Sequence, residues 1–175
     1  VDAAGEEGIR VHVHPTLLPK SHPLASVNDV YNALWLRGDF VGDLMFSGRG
    51  AGSDPTASAV VGDLIDVFRN ISAQGPGSAL PYGLEMPTVD MDDLESAFYL
   101  RIRVQDRPRV LGLIATRLGE FNVSLAAMEM RTVTEEVGEI VFLTHKCRER
   151  SFMDAIKAIE ASSEVLEIAN FIRVA

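Results

Sequence analysis

FYLRIRVQDRPRVLGLIATRLGEFNV, residues 98–123, decides the fold of the C-terminal half. Phe98, Leu100, Ile102 and Val104 alternate with Tyr99, Arg101, Arg103 and Gln105, which is the period of a strand with one buried face. The pattern then changes register. Val110, Leu111, Ile114, Leu118 and Phe121 recur at helical spacing, with Pro108 suited to a first turn and Asp106 placed to cap it. Asn122 ends that helix.

Working outward, 123–133 reads as a second strand, 134–138 as a hairpin loop and 139–146 as a third strand. A second helix carries Phe152, Ile156 and Ile159, and a last strand runs from about Leu166 to Val174. This β-α-β-β-α-β order predicts an antiparallel four-stranded sheet with both helices on one face.

Upstream, 9–13 alternates like a strand, and HPTLLPKSHPLASVND (14–29) holds three prolines that argue against regular structure. Val30 to Leu36 and Phe40 to Phe46 read as a hairpin turning at Gly38-Asp39. GRGAG at 48–52 follows, and from Pro55 to about Asn70 the apolar residues Val60, Val61, Leu64, Ile65 and Phe68 mark an amphipathic helix. SAQGPGSALPYGLEMP (72–87) is rich in Gly, Pro and Ser and is read as a linker. The expected fold class is therefore α+β: part of a mixed α/β domain over 1–71, a linker over 72–96, and a ferredoxin-like module over 97–175.

Charge and composition narrow the function. Sixteen Lys and Arg against 25 Asp and Glu give a formal charge of −9, which argues against nucleic acid. No apolar run approaches the ~18 residues that span a bilayer, and the single cysteine, Cys147, fits a reducing compartment; a cytoplasmic protein is expected. The start on Val1 suggests a chain cut from something longer.

Catalytic and metal signals are weak. GRGAGSDPT lacks the P-loop pattern and the last glycine of a dinucleotide fingerprint, leaving two readings: a sharp turn, or a close approach to a cofactor. His12 and His14 share a strand face, and with His22 would make an incomplete ligand set; no metal is expected. No nucleophile-and-base arrangement emerges, so no catalytic residue is assigned. The Asp106 turn is different in kind. Helix N-terminal N–H groups suit a carboxylate and the Asp106 side chain suits an ammonium, a pairing that fits a free amino acid, although an ordinary N-cap explains Asp106 equally well.

Two stretches carry a resemblance. HPTLLPK and HPLA, LMF with GRGAG, and PTASAVV, in that order over about 14–67, resemble the end of the catalytic region of bacterial homoserine dehydrogenase. DRPRVL followed by FNV resembles an ACT domain, a regulatory module found at the end of many such enzymes. The resemblance implies an NAD(P)-dependent oxidoreductase interconverting L-homoserine and L-aspartate 4-semialdehyde. It implies that the nucleotide-binding domain and catalytic residues lie outside this chain, which would be inert alone and hold no cofactor tightly. Gly52 matches the family's cofactor-adjacent glycine.

For the ACT part the resemblance implies an amino-acid effector, threonine first, near Asp106, Pro108, Arg109, Val110, Leu111, Asn122 and Val123, and homo-oligomers built through these modules, dimers or higher. Relatives usually have glycine where this chain has Arg109, so the arginine would fill the pocket or bring it a new cation. The alternative is a free-standing ACT-type binding or dimerisation module with no catalytic role.

Overall fold

A computed structural model of the chain describes residues 2–4, 8–73, 87–134 and 136–175. In chain order the strands are β1 (Asp2–Ala4), β2 (Gly8–Arg10), β3 (Thr16–Leu17), β4 (Tyr31–Gly38), β5 (Gly42–Arg49), β6 (Glu95–Gln105), β7 (Leu125–Thr132), β8 (Val137–Thr144), β9 (Cys147–Arg148) and β10 (Val165–Val174). The α-helices are α1 (Ser53–Ser72), α2 (Val110–Glu120) and α3 (Glu149–Glu160). The chain forms two compact units: Val1–Leu17 with Met86–Ala175, and Leu18–Glu85.

The first unit is built on the sheet β3-β10-β6-β8-β7, in which β10, β6, β8 and β7 pair antiparallel and β3 joins β10 in parallel. The alternation in 98–104 does what its period requires. Phe98, Leu100, Ile102 and Val104 are all fully buried, and Leu100 and Ile102 lie opposite Phe142 and Ile140 of β8. Val110, Ile114 and Leu118 of α2 and Phe152, Ala155, Ile156 and Ile159 of α3 complete one core. Phe98 and Phe152 stack at its centre, ring centroids 3.8 Å apart. Burying such side chains contributes about 1.5–3 kcal/mol each, so the fifteen-residue cluster dominates the unit's stability.

Helix α2 ends as its sequence suggests. Asn122 takes φ 58°, Val123 N–H donates to Leu118 O at 2.9 Å and Asn122 N–H to Gly119 O at 3.0 Å. This is a Schellman turn, with Asn in the left-handed position and Val123 buried beneath.

Several expectations are corrected. The strand expected over 9–13 covers only Gly8–Arg10, because Val11 and Val13 have no face to bury; Val13 is fully exposed. The proline-rich stretch is not devoid of regular structure. Thr16–Leu17 adds to the edge of β10, where flanking prolines are tolerated, and Pro23–Ser26 forms a 3-10 turn capped by His22, whose Nδ1 accepts the Leu24 N–H. The strand expected over 123–133 starts only at Leu125, after the Schellman turn. Residues 91–93 form the short helical turn that leads into β6. Most of the expected linker, 74–86, lies outside the described residues.

The second unit is a hairpin and a helix. Strands β4 and β5 pair antiparallel through eight residues each, Tyr31 against Arg49 and Gly38 against Gly42. Arg37 and Asp43 face each other near the turn, Nε donating to Oδ1 at 2.6 Å. Helix α1 runs 20 residues, about 30 Å, and buries none of them. Its apolar stripe, Val60, Val61, Leu64, Ile65 and Phe68, is bare, with Phe68 71% exposed.

Candidate functional site

The turn from β6 into α2 departs from its expected form. Asp106 does not cap the helix. Its backbone N–H is held by Glu136 O at 2.9 Å, and its side chain accepts the Thr132 hydroxyl of β7 at 3.1 Å. The position before the first helical residue falls instead to Arg109, which provides no side-chain cap and stands at φ 79°, ψ −13°. Left-handed backbone costs an L-residue about 1–2 kcal/mol and glycine almost nothing, so the backbone at Arg109 is one that glycine would adopt more cheaply.

Arg109 helps to line a cleft of about 840 Å³ that opens to solvent. The turn contributes Arg107, Pro108, Arg109 and Val110; Arg117 of α2 and Glu164, at the entry to β10, stand around it. Glu164 is brought there by the sheet: its carbonyl accepts the Gln105 N–H at 2.9 Å, while Gln105 Nε2 donates to Ser163 O at 3.1 Å. Arg117 is paired with Glu120 at 2.9 Å. Arg107 and Arg109 make no ion pair among the described residues. The cleft thus presents two exposed guanidinium groups beside a helix N-terminus, an arrangement suited to a carboxylate, with the Glu164 side chain available to a cation.

Of the residues expected at an effector site, the cleft gathers Pro108, Arg109 and Val110. Asp106 is occupied by Thr132, Leu111 packs against the core, Asn122 terminates α2 and Val123 is buried. Arg107 belongs to the turn that the sequence singles out, without being named there as a contact; Arg117 and Glu164 were not expected. Arg117 lies two helical turns beyond Val110 and was accessible to a helical-face argument; Glu164 is set by strand pairing alone.

In the second unit Gly52 takes φ 127°, ψ 154° immediately before α1, a conformation that L side chains rarely adopt. Gly50 lets the Asn32 side chain lie close against the turn: a Cβ there would fall 2.0 Å from Asn32 Nδ2, and Asn32 would have to turn away. The turn is therefore a stretch of bare backbone. Its one flanking cation, Arg49, lies 5.9 Å over the Tyr31 ring, and Asp54 occupies the first turn of α1. Such a surface fits the uncharged part of a cofactor and lacks a cationic cradle for phosphate.

His12 and His14 stack at 4.6 Å, and no group of three or more His, Cys, Asp and Glu residues able to hold a metal occurs among the described residues. Cys147 is buried, and burial pushes its thiol pKa up. No described helix is long and apolar enough to cross a membrane.

Comparison with known proteins agrees with both halves. The ACT domain family model matches residues 98–164, and the homoserine dehydrogenase model matches residues 2–65. Homoserine dehydrogenase of Neisseria gonorrhoeae is 43% identical over 162 residues, covering 89% of this chain and 37% of that protein. The Synechocystis enzyme is 40% identical over 179 residues, covering 98% of this chain and 41% of its own length. The crystal structure of a homoserine dehydrogenase from Thiobacillus denitrificans superposes with a TM-score of 0.80 at 38% identity, over 97% of this chain and 40% of that one.

These matches and the fold define a chain in which a stretch of homoserine dehydrogenase type is followed by an ACT domain. The chain belongs to the homoserine dehydrogenase family and corresponds to a C-terminal part of it, spanning about two fifths of the length of the curated relatives it matches.

Proposed function

We propose that the parent protein is an NAD(P)-dependent homoserine dehydrogenase of the cytoplasm. It interconverts L-homoserine and L-aspartate 4-semialdehyde in threonine, methionine and isoleucine biosynthesis. The observation that carries this reading is the succession of two family matches, 2–65 and 98–164, shared with relatives more than twice as long. The bare apolar stripe of α1 supports it, since a 20-residue amphipathic helix with no buried residue is suited to packing against further chain of the parent.

On this reading the NAD(P) cofactor supplies the hydride chemistry when bound, and the residues that perform the reaction lie outside this chain. Gly52 and its neighbouring backbone form an uncharged wall beside the cofactor. Residues 1–71 then belong to the catalytic region, 72–96 connect it to the regulator, and 97–175 form that regulator. Its cleft at Arg107 and Arg109 takes the carboxylate of an effector, threonine first, with Glu164 toward the ammonium. Strand β7, the outer strand opposite β3, offers the edge for pairing ACT domains into a dimer or higher oligomer.

The test is an assay of the parent protein for homoserine-dependent reduction of NADP⁺ and NAD⁺, repeated with threonine. Reduction of either nucleotide, slowed by threonine, is expected. A parent that reduces neither refutes the enzyme reading; activity indifferent to threonine, methionine, isoleucine and lysine refutes the regulatory one.

A further inference from the structure

At the opposite end of β6 from the Arg109 cleft, roughly 30 Å away at a strand's rise per residue, lies a second cavity of about 480 Å³. Arg10 of β2, Val89, Asp93, Glu95 and Arg148 line it. Backbone pairing assembles these residues from three parts of the chain. Ile9 N–H donates to Pro87 O at 2.8 Å, Val89 N–H donates to Ile9 O at 3.0 Å, and Glu95 of β6 lies opposite Arg148 of β9.

Two guanidinium groups and two carboxylates thus surround one cavity. None of the four enters an ion pair among the described residues, although Glu95 and Arg148 are direct cross-strand partners. Among the described residues Arg10 Nε is buried with no hydrogen-bond partner. Buried donors are ordinarily satisfied, and opposite charges facing each other across a strand pair ordinarily close on one another.

From this arrangement we propose that the cavity binds a free α-amino acid. The ligand's carboxylate bridges Arg10 and Arg148, and its ammonium lies between Asp93 and Glu95. A zwitterion satisfies both pairs at once; a simple anion or cation leaves one pair of like charges uncompensated. Arg10 lies in the stretch matching homoserine dehydrogenase and Arg148 in the stretch matching the ACT domain. The ligand therefore ties the N-terminal segment to the C-terminal sheet. The site is independent of the Arg109 cleft.

The experiment is a titration of the 175-residue chain with glycine, followed by the Arg10 Nε–H resonance and by equilibrium dialysis, with N-acetylglycine and glycinamide as single-charge controls. Glycine is expected to shift the resonance and to bind at least tenfold tighter than either control. Arg148→Gln, a change at an exposed side chain, is expected to weaken the glycine response of the Arg10 resonance at least tenfold, while Lys157→Gln, at an exposed side chain of α3 that lines neither cavity, leaves it unchanged. An unmoved Arg10 signal at saturating glycine overturns the proposal. So does a response that survives Arg148→Gln, or one lost equally in Lys157→Gln.

Discussion

Thr132 donates its hydroxyl hydrogen bond to the Asp106 carboxylate at 3.1 Å, fastening the end of β7 to the turn that opens α2. A hydrogen bond to a charged acceptor contributes about 1.5–3 kcal/mol, less where solvent competes, as at this exposed contact. Thr132→Val is therefore expected to lower stability by about 1 kcal/mol, and Asp106→Ala by a similar amount. The double variant should lose much less than the sum. Urea denaturation of the four proteins measures that coupling; full additivity would show that Asp106 acts through some other contact.

Arg109 at φ 79° makes the backbone itself testable. Glycine removes the left-handed penalty and alanine retains it, so Arg109→Gly should be about 1 kcal/mol more stable than Arg109→Ala. Thermal unfolding of the two variants decides it; equal melting temperatures would contradict the observed conformation.

Phe152 stacks on Phe98 and meets Phe171 edge-on, ring centroids 5.6 Å apart. Phe152→Ala should cost about 3–5 kcal/mol, a large share of a small unit's stability. Phe68→Ala, on the bare face of α1, should change the stability of this chain by less than about 0.5 kcal/mol. Denaturation of both variants, followed by near-ultraviolet circular dichroism, separates the two outcomes.

Cys147 gives a pH prediction. Burial first, then the carboxylates of Glu149 and Glu95, raise its thiol pKa, with a hydrogen bond to Thr144 working the other way. Folding therefore favours the neutral thiol. Its stabilising contribution is complete below the unfolded thiol's pKa and is lost as pH climbs toward the raised folded value. Reaction with a thiol reagent at pH 8 should be slow in the native chain and fast in urea; equal rates would mean that the sulfur is accessible.

Much of the C-terminal fold was legible in the sequence because its signals are local. The alternation from Phe98 to Val104, the helical spacing from Val110 to Leu118 and the break at Asn122 each follow from a period or a single backbone preference. Where the outcome hangs on distant partners, the local pattern points elsewhere. Asp106 looks like a cap until Thr132 reaches it from β7, and Thr16–Leu17 becomes a strand only because β10 offers an edge. Of the effector residues read from sequence, Pro108, Arg109 and Val110 line the cleft. Glu164 escaped notice because strand pairing alone carries it there. The φ of Arg109 could not be read from the residue itself, since arginine gives no local sign of a left-handed turn.

On the proposed function this cleft receives an effector's carboxylate through Arg107 and Arg109. Calorimetric titration of L-threonine into the 175-residue chain, set beside the Arg107→Gln/Arg109→Gln double variant, tests it most directly. Saturable heat is expected for the native chain and at least tenfold weaker binding for the variant. No heat with threonine, methionine, isoleucine or lysine, or heat unchanged in the double variant, would contradict it.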